Sequence, residues 1–494
     1  MLLVDLEKLI KSLSATEKKT FKLHSQRLSG NKDYVFLYEQ IVGQSNFVDG
    51  STWQDRFKKA YPKKSLENTA AYLYKLITDM LVQIRIEQDT WYQQYHCLLK
   101  ARLCFERSVP DRAFNELQRA SKLAVANQHH PVAYQAARME LTALADLGFP
   151  SLSEQQLVDR QMKAKHTLQS LRQIHEHYSL YELLSYRLTY GQRPAIDKQD
   201  KRLNDLILSE LSLSTRGSPH QFEPQKLHLL FQSFFFIHSG EYRSALRIFN
   251  ELTKLIEANE HIWNYPPYDY LSALDGILDS LRSIQYYEEM IPFINRLTVL
   301  SGRNYPEHFK SVASLTVWVY KLNMRLGCHE YEVAARFIDE TDTFENMKAI
   351  NGHEKQMEYY FFKALAYFMI AQLTKAKKQL NLLFFTAKQA PQHPAYRAGR
   401  LLYIMLRYEM NDCEFIDYEI RSYKRIFGKH GKSFKVEKLL FNIIASDPKR
   451  RGNAWKAAAQ KKVTTKMKEI SSDKREVQLL KYADFRQLVT AWLR

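Results

Sequence analysis

The residues best equipped for chemistry are sixteen histidines and four cysteines. The motif HEH spans His175–His177, His129 and His130 are adjacent, and His353 precedes Glu354. A helical zinc protease site needs two histidines four apart with a glutamate after the first, so that both ligands and the base share one face. His175 and His177 are two apart and diverge on a helix, and position 357 is Met357. No metal site and no cofactor are expected. Cys97, Cys104, Cys328 and Cys413 form no C-x-x-C pair. Cys97 and Cys104, seven apart, share a helix face and read as core positions, with reduced thiols in a cytoplasmic setting. Glycine-rich phosphate loops and the G-x-S-x-G nucleophile elbow are absent from the sequence, so the expectation is a protein that is not an enzyme.

Charge is the second chemical feature. Lys and Arg number 72 against 54 Asp and Glu, a net of +18. Residues 401–494 hold 21 of the cations against 11 acids. The stretch Lys449–Lys468 concentrates them: Lys449, Arg450, Arg451, Lys456, Lys461, Lys462, Lys466 and Lys468, with no acid between. These eight are the candidate contacts to nucleic acid or another anion. On a helical wheel starting near Asn453, Trp455, Ala459, Val463, Met467 and Ile470 form one seam, while lysines wrap around much of the remainder. Two readings follow: a solvated capping helix docked by its seam, or a helix that also grips a polyanion.

The elements that carry these residues read as helices throughout. Apolar residues make up 45% of the 494, enough for a continuous core, while Gly (15) and Pro (14) are scarce. Residues 1–90 are expected to form a helical bundle. Ser14 and Glu17 make an S-x-x-E capping box, and Tyr72, Leu73, Leu76, Ile77, Met80, Leu81 and Ile84 recur at helical spacing. Residues 91–446 are expected to be a helical repeat region, with a seam near 191–224 where GSPHQFEP breaks the pattern. Residues 447–494 are expected to be basic capping helices, with Phe485, Leu488, Val489 and Trp492 closing the core edge. MLLVDLEKLI lacks a signal-peptide pattern, and no stretch approaches the ~18 uncharged apolar residues of a membrane helix, so no membrane insertion is expected.

The clearest repeat is SGEYRSALRIF, residues 239–249. Gly240 supplies a turn, Tyr242 an aromatic, Ala245 a small crossing residue and Phe249 a bulky filler. Two antiparallel helices need that order: a tight turn, a small side chain where they cross, then a large one in the next gap. The same offsets recur from Ser108, His329 and Ala371, at separations of 132, 89 and 42 residues. The Gly240 copy resembles the tetratricopeptide repeat family. The runs RLLYIMLRYEMNDCEFIDYEIRSYKRIF (400–427) and FKVEKLLFNII (434–444), with LSATEKKTFK and AAYLYKLI near the start, are similar to uncharacterised all-helical tetratricopeptide-like repeat proteins of Bacteroidota type. That resemblance implies an irregular α-solenoid after the bundle and implies no reaction. Leu252 and Glu257 stand where most such repeats keep a second small residue and a closing proline.

The expected function is a cytoplasmic scaffold or adaptor that binds another protein through the solenoid surface. An RNA- or ribosome-associated protein using the basic end is the alternative. A second alternative is a solenoid regulator whose amino-terminal bundle binds DNA, although the helix DYVFLYEQIV is too apolar for base readout. FQSFFFIHSGEY (231–242) reads either as an aromatic platform or, preferably, as rings buried between stacked helices.

Overall fold

Scarce Gly and Pro and pervasive helical periodicity produce an all-α chain. A computed structural model describes residues 2–27, 33–43, 52–150, 152–190, 201–214, 221–263, 265–341, 344, 353–388, 393–427, 433–448, 451–471 and 473–492. Among the described residues there are 24 α-helices and no strand. The chain divides into two compact units, Met1–Leu171 and Arg172–Arg494. The division falls inside one long helix, upstream of the 191–224 segment.

The first unit begins with α1 (Leu2–Ser12), α2 (Ala15–Arg27), α3 (Asp33–Val42), α4 (Trp53–Ala60) and α5 (Leu66–Gln88). Leu6, Ile10, Phe21, Leu37, Tyr38, Phe57, Leu73 and Ile77 form their shared core. Both halves of the Ser14–Glu17 capping box are made: the Glu17 carboxylate accepts from the Ser14 N–H at 2.8 Å, and the Ser14 hydroxyl accepts from the Glu17 N–H at 3.2 Å. Next come α6 (Thr90–Glu106), α7 (Pro110–Ala126) and α8 (His130–Asp146), which pack in sequence on Leu98, Ala101, Leu117, Ala120 and Val132. Cys97 belongs to that core, whereas Cys104 is half-buried.

The next helices along the chain are α9 (Glu154–Tyr190) and α10 (Lys201–Ser214). The second unit then repeats one motif. Its helices are α11 (Phe222–Ser239), α12 (Tyr242–Ala258), α13 (Tyr268–Ser283), α14 (Ile291–Gly302), α15 (Glu307–Gly327), α16 (Tyr331–Thr341), α17 (His353–Met369), α18 (Leu373–Thr386), α19 (Pro394–Glu409) and α20 (Cys413–Phe427). The remaining four are α21 (Lys435–Ser446), α22 (Asn453–Ser471), α23 (Lys474–Leu480) and α24 (Phe485–Ala491).

Five of the described turns in this unit are built alike, each on a left-handed residue: Gly240, Gln285, His329, Ala371 and Asn411. They fall 45, 44, 42 and 40 residues apart. The N–H one residue beyond each bonds back to a carbonyl in the preceding helix: Glu241 to Phe236, Tyr286 to Leu281, Glu330 to Arg325, Gln372 to Tyr367 and Asp412 to Arg407. These are Schellman caps, which satisfy carbonyls left over at the helix end. Five residues past each turn stands a buried side chain, Ala245, Met290, Ala334, Ala376 or Ile416. The copies centred on Gly240, His329 and Ala371 were legible in the sequence. Those at Gln285 and Asn411 fill the gaps and make the spacing regular. Gln285 hides because it takes a glycine conformation without being glycine, and Met290 fills a small-residue position. Asn411 could have been found, since Asn tolerates the left-handed region.

Successive first helices pack on one another, α11 on α13, α13 on α15, α15 on α17 and α17 on α19. They make one continuous face. Ala245 is fully buried in the first hairpin. Ala245→Leu is expected to overpack it and cost about 1–3 kcal/mol, read as a lower thermal midpoint with helical content retained.

Candidate functional site

The densest cluster of chemically capable side chains lies on the face of first helices in the second unit. On α13, Asp275, Asp279 and Arg282 are spaced at i, i+4 and i+7, so they share one side of the helix. Lys355 and Glu358, three apart on α17, meet them, and Tyr320 on α15 stands between. The Arg282 guanidinium donates to Glu358 at 2.8 Å and to Asp279. Lys355 donates to Asp275 at 2.6 Å and to Glu358 at 2.9 Å. The Tyr320 hydroxyl donates to the Asp275 carboxylate at 2.8 Å. Arg282 is 1% exposed, and its remaining faces lie over Tyr320, Phe362 and Tyr482 at 5.1–5.5 Å from the ring centres. Its Nε and Nη1 have no hydrogen-bond partner among the described residues, and the rings lie over the group there.

The network is completed from α23 and the turn after it. Lys481 donates to both Asp279 oxygens, at 2.8 and 3.0 Å, and the Tyr482 hydroxyl to Glu358 at 3.3 Å. Further along, Gln478 donates to the His238 carbonyl at 3.1 Å and Lys474 pairs with Glu241. Gly240 lets this approach occur, since a Cβ there would lie 3.1 Å from the Lys474 carbonyl oxygen. On the opposite side, Glu476 accepts the N–H groups of Lys435 and Val436, at 2.6 and 3.2 Å, at the start of α21. Residues 447–494 therefore do more than close the last hairpin. Phe485, Val489 and Trp492 join the core near α21, while α23 reaches back to α13 and the α11–α12 turn.

Three carboxylates and three cations share the network, so it is neutral when all are ionised. Burial disfavours the Glu358 carboxylate, but Arg282 and Lys355 outweigh it and hold the group well below its ordinary range. Burial likewise opposes ionisation of Asp279, yet Lys481 and Arg282 bring it down to about 2. Lys355 is raised, its partners Asp275 and Glu358 overriding desolvation. Lys481 is lowered: desolvation and the neighbouring Arg282 charge exceed the pull of Asp279. Asp279 and Glu358 stay charged in the folded protein below the pH at which they protonate once unfolded. The Asp279 contribution is present above the ordinary carboxylate range and is lost as pH falls through about 2, on the order of 2 kcal/mol, and that of Glu358 is lost likewise on acidification. An acid titration followed by circular dichroism should show Asp279→Asn flattening this part of the profile.

Beside the network is a small cleft of about 120 Å³, lined by Tyr287, Asn323, His329, Tyr331, Lys481 and Asp484 among others. His329 and the Tyr331 hydroxyl are 2.8 Å apart. With its charges paired internally, the arrangement works as a polar joint that holds α23.

The histidines singled out in the sequence stand in different surroundings. His129 meets the Gln94 side-chain oxygen through Nδ1 at 2.7 Å. His175 is exposed while His177 is buried 3.7 Å from Glu210, and Met357 is in the core. Among the described residues no group of His, Cys, Asp and Glu has the arrangement of a metal site. No helix there is long and apolar enough to cross a membrane. In α3, Tyr34, Leu37, Tyr38 and Ile41 are core residues, and its exposed side chains are Glu39 and Val42. Phe231 is buried and Phe234, Phe235 and Phe236 are half-buried, with Phe234 edge-on to Phe249 at 6.0 Å, the expected packing between helices.

In the basic stretch, Lys449 and Arg450 lie outside the described residues, as does the Lys468 side chain. Arg451 is exposed and its Nε donates to the Ser446 carbonyl at 3.1 Å. Lys456 is half-buried; Lys461, Lys462 and Lys466 are exposed on α22. Val463 and Ile470 are buried and Trp455 and Ala459 pack against the same core, so the seam docks. Trp455 is half-buried.

None of Asp275, Asp279, Arg282, Lys355, Glu358, Lys481 and Tyr482 stood out in the sequence. The available signal was the i, i+4, i+7 stripe of charge on α13. No protein-family model matches the chain, and no curated protein matches it either. What is established is an all-α protein whose second unit receives one of its own helical segments across a row of first helices.

Proposed function

We propose that this protein is a non-enzymatic helical-repeat scaffold of the cytoplasm, an irregular tetratricopeptide-like solenoid that binds a helical segment of another protein. The observation that supports this reading is the seating of α23. First helices and the α11–α12 turn take a short helix and its following turn through charged and backbone contacts at Glu241, His238, Asp279 and Glu358. Recognition of a helix by a groove of helices uses the same contacts in trans. Purification of the tagged protein with and without nuclease tests it. A protein partner that survives nuclease and 0.5 M salt (roughly three times physiological ionic strength) supports the scaffold; recovery of nothing but nuclease-sensitive material removes it.

A second reading has its own observation. Lys461, Lys462 and Lys466 are exposed on a helix fixed by Val463 and Ile470. A docked helix presents its charges without the ordering cost of a tail, and RNA or another polyanion would then bind through counterion release. Reversal of these three lysines to glutamate should leave helical content unchanged and reduce the salt slope of polyanion binding by about three. Unchanged binding at low salt would leave the lysines as a solvated face.

A further inference from the structure

We infer that the face of first helices is a receptor for a helix-and-turn segment bearing lysine and tyrosine, and that α23 with the turn after it is its built-in ligand, exchanged for a partner segment of the same chemistry. The inference deepens the scaffold reading and rests on it for the existence of a partner; the receptor chemistry rests on the contacts of α23.

The side chains that seat this segment are Lys474 and Gln478, four apart on one face of α23, and Lys481 and Tyr482 in the turn that follows the helix end at Leu480. The receptor opposite it is acidic at the points of contact. Glu241 takes Lys474, Asp279 takes Lys481, and Glu358 takes the Tyr482 hydroxyl while also holding Arg282. The Tyr482 ring adds apolar contact, stacked on Phe362 at 6.2 Å and edge-on to Phe361 at 5.6 Å. Two of these acids, Asp279 and Glu358, are 13% and 6% exposed, so water cannot replace a departing cation well.

This decides what the exchange must look like. Departure of this segment with nothing in its place would strip the buried Asp279 of Lys481 and leave Glu358 without the Tyr482 hydroxyl, which is unfavourable. Arrival of an acidic or neutral segment would leave Asp279 equally short. A segment with a helical lysine, then a lysine and an aromatic hydroxyl in the following turn, restores these contacts. The site therefore discriminates by penalty as much as by attraction. Glu476 marks the part of α23 that a partner does not need: its carboxylate caps α21, on the other side of the helix, and is separate from the acidic contacts.

The probe is a labelled peptide spanning residues 473–492 of this sequence, added to the full chain. The wild-type chain should bind it weakly because its own segment competes. A chain with Lys474→Ala, Gln478→Ala and Lys481→Ala should bind it at least about tenfold more tightly. Peptide carrying Lys481→Glu should fail on that chain and bind again when the chain also carries Asp279→Lys. Should the triple variant unfold, hydrogen exchange on the wild-type chain decides: excess peptide should speed exchange in α23 while α13 and α17 stay protected. Absence of peptide uptake by a folded triple variant, or exchange of α23 only in concert with α17, would overturn the inference. A nuclease-resistant partner found alongside that result would leave the scaffold reading standing. Charge-matched peptide uptake with no protein partner would remove the scaffold reading and keep the receptor chemistry.

Discussion

Arg282→Ala is expected to cost about 3–5 kcal/mol, because it strips the shared cation from Glu358 and Asp279 while both remain buried. The loss should appear as a thermal midpoint lower by several degrees and as increased exchange of amides in α17 and α23. Arg282→Lys should recover only part of it. An ammonium reaches one carboxylate well, but it does not lie flat between Tyr320, Phe362 and Tyr482 as the guanidinium does. Neutralising an acid tests the electrostatic account. Arg282→Met together with Glu358→Gln should be less destabilised than Arg282→Ala alone, since Asp279 then keeps Lys481, Asp275 keeps Lys355 and the interior charges stay matched. If the double variant is worse than the single one, ring packing around Arg282 outweighs its charge.

The second large effect lies in the first hairpin of the second unit. Phe249 is fully buried and its ring presses on Gly276 of α13. A Cβ at position 276 would fall 2.2 Å from the ring, so Gly276 is kept for the space its missing side chain leaves. Phe249→Ala is expected to cost about 3–5 kcal/mol through lost contacts and the cavity left behind. Gly276→Ala should cost about 1–3 kcal/mol by forcing the ring aside, despite the better helix propensity of alanine. The two substitutions should interact. In a double-mutant cycle, Phe249→Leu with Gly276→Ala should be less destabilised than the sum of the single changes, measured by denaturant midpoint at constant slope.

The sequence and the structure meet most closely at the hairpins. Gly240, Tyr242, Ala245 and Phe249 were readable because each plays a local role: a left-handed turn, a filler at the helix start, a crossing residue and a plug. Gln285 and Met290 play the first and third roles with unexpected residue types. Their turn is held by the Tyr286 and Gln285 N–H groups bonding to the Leu281 and Arg282 carbonyls, and by packing of Met290 against Ile294 and its neighbours. Backbone hydrogen bonds are independent of side-chain identity, so this copy leaves little mark in the residue string. The seam on α22 was readable for the opposite reason, since Val463 and Ile470 are apolar positions set among lysines.

What the sequence by itself determined is helical content, the capping box at Ser14, three of the five hairpins in the second unit and the docked seam of the basic helix. All of these arise from neighbours within a turn or two, where a 3.6-residue period leaves a visible pattern. What only the tertiary structure decided is which charges are partners. Arg282 and Glu358 are 76 residues apart, and Lys481 and Asp279 are 202 apart. Such pairs have no spacing rule. Each residue alone reads as an ordinary solvated charge, and only the packing of α13, α17 and α23 removes the water and makes the three groups depend on one another.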